Sequence, residues 1–160
     1  MGSQFEASDI LEIAMRIEEN GSAFYRFAEQ LARDDEAKKM FEHLASEEDA
    51  HKTTFKGMLA KVETRMPPET YPGEYGAYLR SYADGSLIFT KEAMEEELAS
   101  IKDTLSAIDF AIRRELDSIL YYHEIKGFIS KDQHDAIDAI INEERKHFKM
   151  LSKMKNEYTK

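Results

Sequence analysis

Two four-residue signatures of one kind, Glu48-Asp-Ala-His51 and Glu144-Arg-Lys-His147, stand in opposite halves of this 160-residue chain. On a helix, residues three apart share a face, so each signature would aim a carboxylate and an imidazole at one point. With 21 Glu and 5 His available, roughly half an occurrence is expected by chance, and a single copy would carry little weight. The company of the signatures decides. Glu18 stands 30 residues before Glu48 and opens Glu18-x-x-Gly21-x-x-x-Tyr25; Glu115 stands 29 before Glu144 and opens Glu115-x-x-Ser118-x-x-x-Tyr122. The chain is a unit of Glu, turn and Glu-x-x-His written twice, and any fold must bring both copies to the same place or waste them.

Apolar periodicity predicts four long helices, at about 9–33, 36–62, 103–126 and 131–156. Ser8 is the N-cap expected for the first, Asp34-Asp35 the turn before the second, Gly127 the stop of the third, and Ser130 with Gln133 a capping box for the fourth. The segment 63–102 differs in character, with Pro67-Pro68, Tyr71-Pro72-Gly73, Gly76 and Asp84-Gly85, and a short helix expected near 91–101. A tight turn makes neighbouring helices antiparallel, whereas a connection of this length can run the roughly 42 Å of a long helix and restart at its far end. The expected architecture is all-α: one domain over 1–160, a four-helix bundle of two antiparallel hairpins joined by a long crossover.

The spacing also sets a common level. Residues at equal height in an antiparallel hairpin bracket its turn evenly, and the midpoint of Glu18 and Glu48 is 33, beside Asp34-Asp35, while that of Glu115 and Glu144 is 129.5, inside Gly127 to Ser130. Each polar group interrupts the middle of an apolar stripe. The second helix reads Phe41, Leu44, Glu48, His51, Phe55, Met58, Val62, and the fourth Ile137, Ile140, Glu144, His147, Leu151, Met154, Tyr158. Four inward carboxylates at one level cost several kcal/mol each to desolvate unless something positive sits among them. Two divalent cations meet that need.

A formal net charge of −10 disfavours nucleic acid and anionic membranes as partners. The absence of cysteine excludes disulfides, thiolate metal sites and thiol nucleophiles. The opening Met1 to Glu6 has no apolar run and no later stretch suggests a membrane span, so the expected location is the cytoplasm. Glu19, Glu47 and Glu143 flank the proposed site residues and are expected on solvated helix faces; His43, His123 and His134 fall outside the signatures and are expected at the surface. The run Tyr71, Tyr75, Tyr78, Tyr82 is read as packing or a dimer contact, with a substrate lid as the alternative.

In the residues of both halves, about 8–62 and 103–156, the chain resembles the rubrerythrin branch of the ferritin-like di-iron carboxylate proteins. That resemblance implies a site of two Fe ions, with Mn or Zn able to stand in their place. It implies Glu18, Glu48 and His51 for one ion and Glu115, Glu144 and His147 for the other, with Glu48 and Glu144 bridging and Tyr25 and Tyr122 as hydrogen-bonding neighbours. It further implies an oxidoreductase that reduces hydrogen peroxide or dioxygen in oxidative-stress defence, as a homodimer served by a separate electron-donor protein. The alternative is iron handling or ferroxidase action, or metal binding without peroxidase turnover. Two departures stand out. Rubrerythrins proper carry a further carboxylate three residues after the third-helix Glu, where this chain has Ser118, and they append a four-cysteine rubredoxin domain, for which this chain has no cysteine.

Overall fold

The computed structural model describes residues 7–61, 77–78 and 91–160. Val62, most of the crossover and its tyrosines 71, 75 and 82 lie outside the described residues, as does the N-terminal stretch before Ala7. Helix α1 spans Ala7–Leu31 and α2 Asp35–Leu59; the short α3 spans Lys91–Ala99, α4 Thr104–Ile125 and α5 His134–Tyr158. Three residues separate α1 from α2, so the two run antiparallel. Between α4 and α5 lie two short 3-10 turns, Lys126–Phe128 and Lys131–Gln133. The hairpins then face each other, α1 packing on α4 and α2 on α5. Among the described residues no strand occurs, and no helix is long and apolar enough to cross a membrane.

Local chemistry explains the helix starts. Asp34 caps α2, its carboxylate accepting from the Ala37 amide at 2.8 Å. Asp103 and Ser106 form a reciprocal box at the head of α4, the Ser106 amide donating to Asp103 Oδ1 at 2.8 Å and the Asp103 amide to Ser106 Oγ at 3.2 Å. Two expected caps are not formed. Ser8 lies inside α1, which is already helical at Ala7. Ser130 makes no side-chain cap bond, and α5 begins only at His134. The reason lies in Gln133, whose amide donates to the Met58 carbonyl at 3.2 Å near the end of α2. A side chain committed across the bundle cannot close a local box.

The apolar stripes meet in two separate buried clusters. One gathers Ile10, Leu11, Ile17, Phe55, Tyr122 and Ile137 with their neighbours; the other gathers Phe24, Tyr25, Phe41, Leu44, Ile108 and Leu151 with theirs. Between them lies a polar layer, and every member of it belongs to the duplicated unit.

Candidate metal centre

Each of the four long helices sends a carboxylate to this layer. Glu18 is 0% exposed, Glu48 5%, Glu115 3% and Glu144 1%, with His51 and His147 at 2% each. The antiparallel hairpins bring the two Glu-x-x-His frames face to face, and the imidazoles stack with ring centroids 5.6 Å apart. The Nδ1 atoms point into the layer. His51 Nδ1 lies 3.0 Å from Glu144 Oε1 and 3.5 Å from Glu18 Oε2; His147 Nδ1 lies 3.1 Å from Glu144 Oε2, 3.5 Å from Glu48 Oε1 and 3.6 Å from Glu115 Oε1.

The side chains sort into two groups of four, each able to present its ligand atoms within 4.8 Å of one another: Glu18, Glu48, His51 and Glu144, and Glu48, Glu115, Glu144 and His147. Glu48 and Glu144 belong to both. Two cations side by side would therefore share those two carboxylates, each keeping one further Glu and one His. The hydrogen bonding argues the same way: Glu18 Oε2 and Glu115 Oε2 are buried yet accept no hydrogen bond. Buried carboxylate oxygens are rarely left so, because each forfeits its solvation without return. Oxygen-rich donors with two imidazoles suit Fe or Mn better than copper.

The two tyrosines close the layer from opposite sides. Tyr25 sits in one apolar cluster and donates its hydroxyl to Glu115 Oε1; Tyr122 sits in the other and donates to Glu18 Oε1. Each hydroxyl thus reaches the carboxylate of the other repeat. Burial, with the nearby carboxylates, raises both tyrosine pKa values well above 10, so the hydroxyls stay protonated and act as donors.

Without cations the layer must hold protons. Burial, then the charge of Glu144, raises Glu18 above the ordinary carboxylate value; burial and Glu18 raise Glu48; burial and Glu115 raise Glu144. Burial alone would raise Glu115 too, but hydrogen bonds, including those with His147 and Tyr25, hold it low. Burial opposes charge on the imidazoles, yet the carboxylates around them win and lift both to about 9. Cations would replace these protons.

Glu47 and Glu143 are not simple solvated residues as their helix positions suggested. Glu143 Oε2 lies 2.5 Å from His51 Nε2, and Glu47 Oε2 lies 4.0 Å from His147 Nε2. Each half-exposed carboxylate leans over the outer nitrogen of the imidazole on the opposite helix. The signal was present as Glu-Glu-x-x-His, written twice, but the contact runs between helices and no single-helix stripe contains it. Glu19 is exposed and pairs with Lys52 at 3.6 Å. His43 and His123 are exposed, while His134 is half-buried with Nε2 2.9 Å from the Ile129 carbonyl.

The sequence matches the rubrerythrin family model over residues 9–155. The chain belongs to the rubrerythrin family. A search of curated proteins gave no match. Among solved structures, the fold is similar to a Thermotoga maritima protein named as a candidate ferritin-like diiron-carboxylate protein, with a TM-score of 0.72, 28% identity and 99% of each chain covered. The ferritin-like bundle is thus shared with that protein, and the polar layer is a candidate metal site on its own geometry.

Proposed function

We propose that this rubrerythrin-family protein holds two irons through Glu18, Glu48, His51, Glu115, Glu144 and His147, and reduces a small oxidant, hydrogen peroxide or dioxygen. The observation that carries the reading is the pair of four-residue groups sharing Glu48 and Glu144. When bound, an iron pair supplies two electrons and a two-point clamp on a small oxidant. The chain's own residues do the rest. Carboxylates from four helices neutralise the cations, and the apolar clusters on either side keep bulk water out of the layer. Tyr25 and Tyr122 orient Glu115 and Glu18 and hold a proton beside each.

The chain contains no cysteine, so electrons come from a separate donor protein under this reading. Ser118 in place of a further carboxylate favours a second reading, iron oxidation and handling without peroxidase turnover. Anaerobic Fe(II) titration followed by rapid mixing with peroxide, and separately with oxygen, tests both. Two irons per chain and fast oxidation by either reagent are expected, with repeated turnover when a reductant is supplied. Glu48→Ala and His147→Ala should lose the two-iron stoichiometry; retention of two irons in both variants would sink the assignment. Iron oxidation that stops after one turnover despite excess reductant would favour the second reading.

A further inference from the structure

The polar layer leaves the outward nitrogens of its two imidazoles to other partners. His51 Nε2 lies 2.5 Å from Glu143 Oε2, and His147 Nε2 is turned toward Glu47 Oε2 at 4.0 Å, beyond hydrogen-bonding reach. Both rings are buried, with 3% of each side chain exposed, whereas Glu143 keeps 43% and Glu47 36%. All four residues stand on α2 and α5, on the side where those helices face each other. A carboxylate oxygen of Glu47, one of Glu143 and a ring nitrogen of His51 can lie within 4.8 Å of one another. The two groups inside the layer use neither Glu47 nor Glu143, so this is a third cluster with metal-ligand spacing.

Two surface carboxylates alone would mean little. Here a buried imidazole nitrogen points between them, and one nitrogen with two carboxylate oxygens is a donor set for a first-row divalent cation, water completing the shell on the exposed side. A neutral His51 ring can serve only one ion. With its proton on Nδ1 it donates to Glu144 Oε1 at 3.0 Å and offers Nε2 outward; with the proton on Nε2 it donates to Glu143 and offers Nδ1 to the layer. The outer cluster therefore has its nitrogen while the His51 group of the layer is empty and loses it once that group is filled.

We infer that Glu47, Glu143 and His51 Nε2 form an outer site for one divalent cation, which delivers its ion to the His51 group of the layer. The delivery rests on the two-iron reading above; the outer site does not. Ion and proton exchange places on one ring: the bond from Nε2 to the ion breaks and one from Nδ1 forms, while the ring loses its Nδ1 proton and gains one on Nε2, held by Glu143. No electron moves. The half-exposed carboxylates and the formal net charge of −10 draw cations to this end of the path.

The test uses the metal-free full chain with Co(II) as the probe. The double variant Glu48→Ala, Glu144→Ala removes both carboxylates shared within the layer and should still bind one Co(II) per chain, which anomalous scattering from a soaked crystal should place between Glu47 and Glu143. Co(II) elsewhere, or none bound by the folded variant, overturns the inference. Rapid mixing of the otherwise wild-type chain with saturating Co(II) reads the delivery. Glu47→Gln should reach the same two ions per chain at least tenfold more slowly, while Glu42→Gln, which removes an exposed charge from the same helix, should fill at the wild-type rate. A wild-type rate in Glu47→Gln, or equal slowing in both variants, overturns the inference even if the double variant does not fold. A wild-type chain that never takes up two ions, beside a double variant that holds its one outer ion, would remove the two-iron reading and leave the outer site standing.

Discussion

At the residue scale, the imidazoles of His51 and His147 depend on what stands behind them. Their Nδ1 atoms face the carboxylate layer, so the proton of the neutral ring belongs on Nε2, where a carboxylate can accept it. Glu143 is close enough to do this for His51 at 2.5 Å, whereas Glu47 stands 4.0 Å from His147. Glu143→Gln should therefore weaken metal at the His51 group by about tenfold or more, with Glu143→Asp recovering part of it. Glu47→Gln should do less. Isothermal titration with Co(II) under anaerobic conditions measures both, and equal effects of the two variants would contradict this asymmetry. Tyr25→Phe and Tyr122→Phe each remove the donor to one terminal carboxylate and leave the ring in its apolar cluster. A buried acceptor left without its donor costs about 1–3 kcal/mol, so each variant should melt several degrees lower in the metal-free state, as circular dichroism would record; an unchanged melting temperature would remove the orienting role. The six central residues were legible because Glu-x-x-His places Glu48, His51, Glu144 and His147 by local geometry, and hairpin height brings Glu18 and Glu115 to the same level. Glu143 was not, because its contact exists only once α5 is laid against α2.

At the element scale, the two caps expected at Ser8 and Ser130 do not form, while Asp34, read as a turn residue, and Asp103, read as a helix start, cap their helices. Asp34 accepts from Ala37, three residues on, and Asp103 pairs with Ser106 at the same spacing. Gln133 has the spacing of a capping box with Ser130 but bonds the Met58 carbonyl instead. Asp34→Ala should destabilise the protein by about 1 kcal/mol, lowering the melting temperature by about 2–4 °C for a chain of this size. The cost should be the same with and without metal, since Asp34 lies at the hairpin tip, away from the polar layer. A thermal melt checks this, and a metal-dependent effect would show that the hairpin tip and the site are coupled. The turn positions themselves were fixed by height: the midpoint 33 falls in the three-residue connection before α2, and 129.5 falls between the two 3-10 turns before α5.

At the scale of the whole molecule, the core is two apolar clusters with a charged layer between them, and stability depends on what neutralises that layer. Without metal it is protons. His51 and His147 are raised from 6.5 to about 9, and Glu18, Glu48 and Glu144 are raised above 4.5. A raised folded-state pKa contributes stability that is present below the unfolded value and lost as pH rises through the folded one. The metal-free protein should accordingly lose stability from about pH 6.5 to 9 as the imidazoles deprotonate, with Glu18, Glu48 and Glu144 adding to the loss from lower pH and Glu115, held low, opposing it only in the acid range. Two divalent cations bind the deprotonated form, so metal should restore the melting temperature most at the alkaline end. Melts across this range with and without chelator decide it; a metal-free stability that is flat or rising would show the layer is not proton-loaded. The sequence by itself determined the helical class, the duplication, the turn positions and the six side chains of the layer, because helical periodicity and hairpin height are short-range rules that a linear pattern records. Only the tertiary structure decided the crossed bonds from Tyr25 to Glu115 and from Tyr122 to Glu18, the reach of Glu143 over His51, and the close approach of Glu48 to Gly21, where a Cβ would lie 2.9 Å from Glu48 Oε2. Each of these joins residues on different helices, and their meeting is set by how the helices rotate and settle against one another to fill two cores.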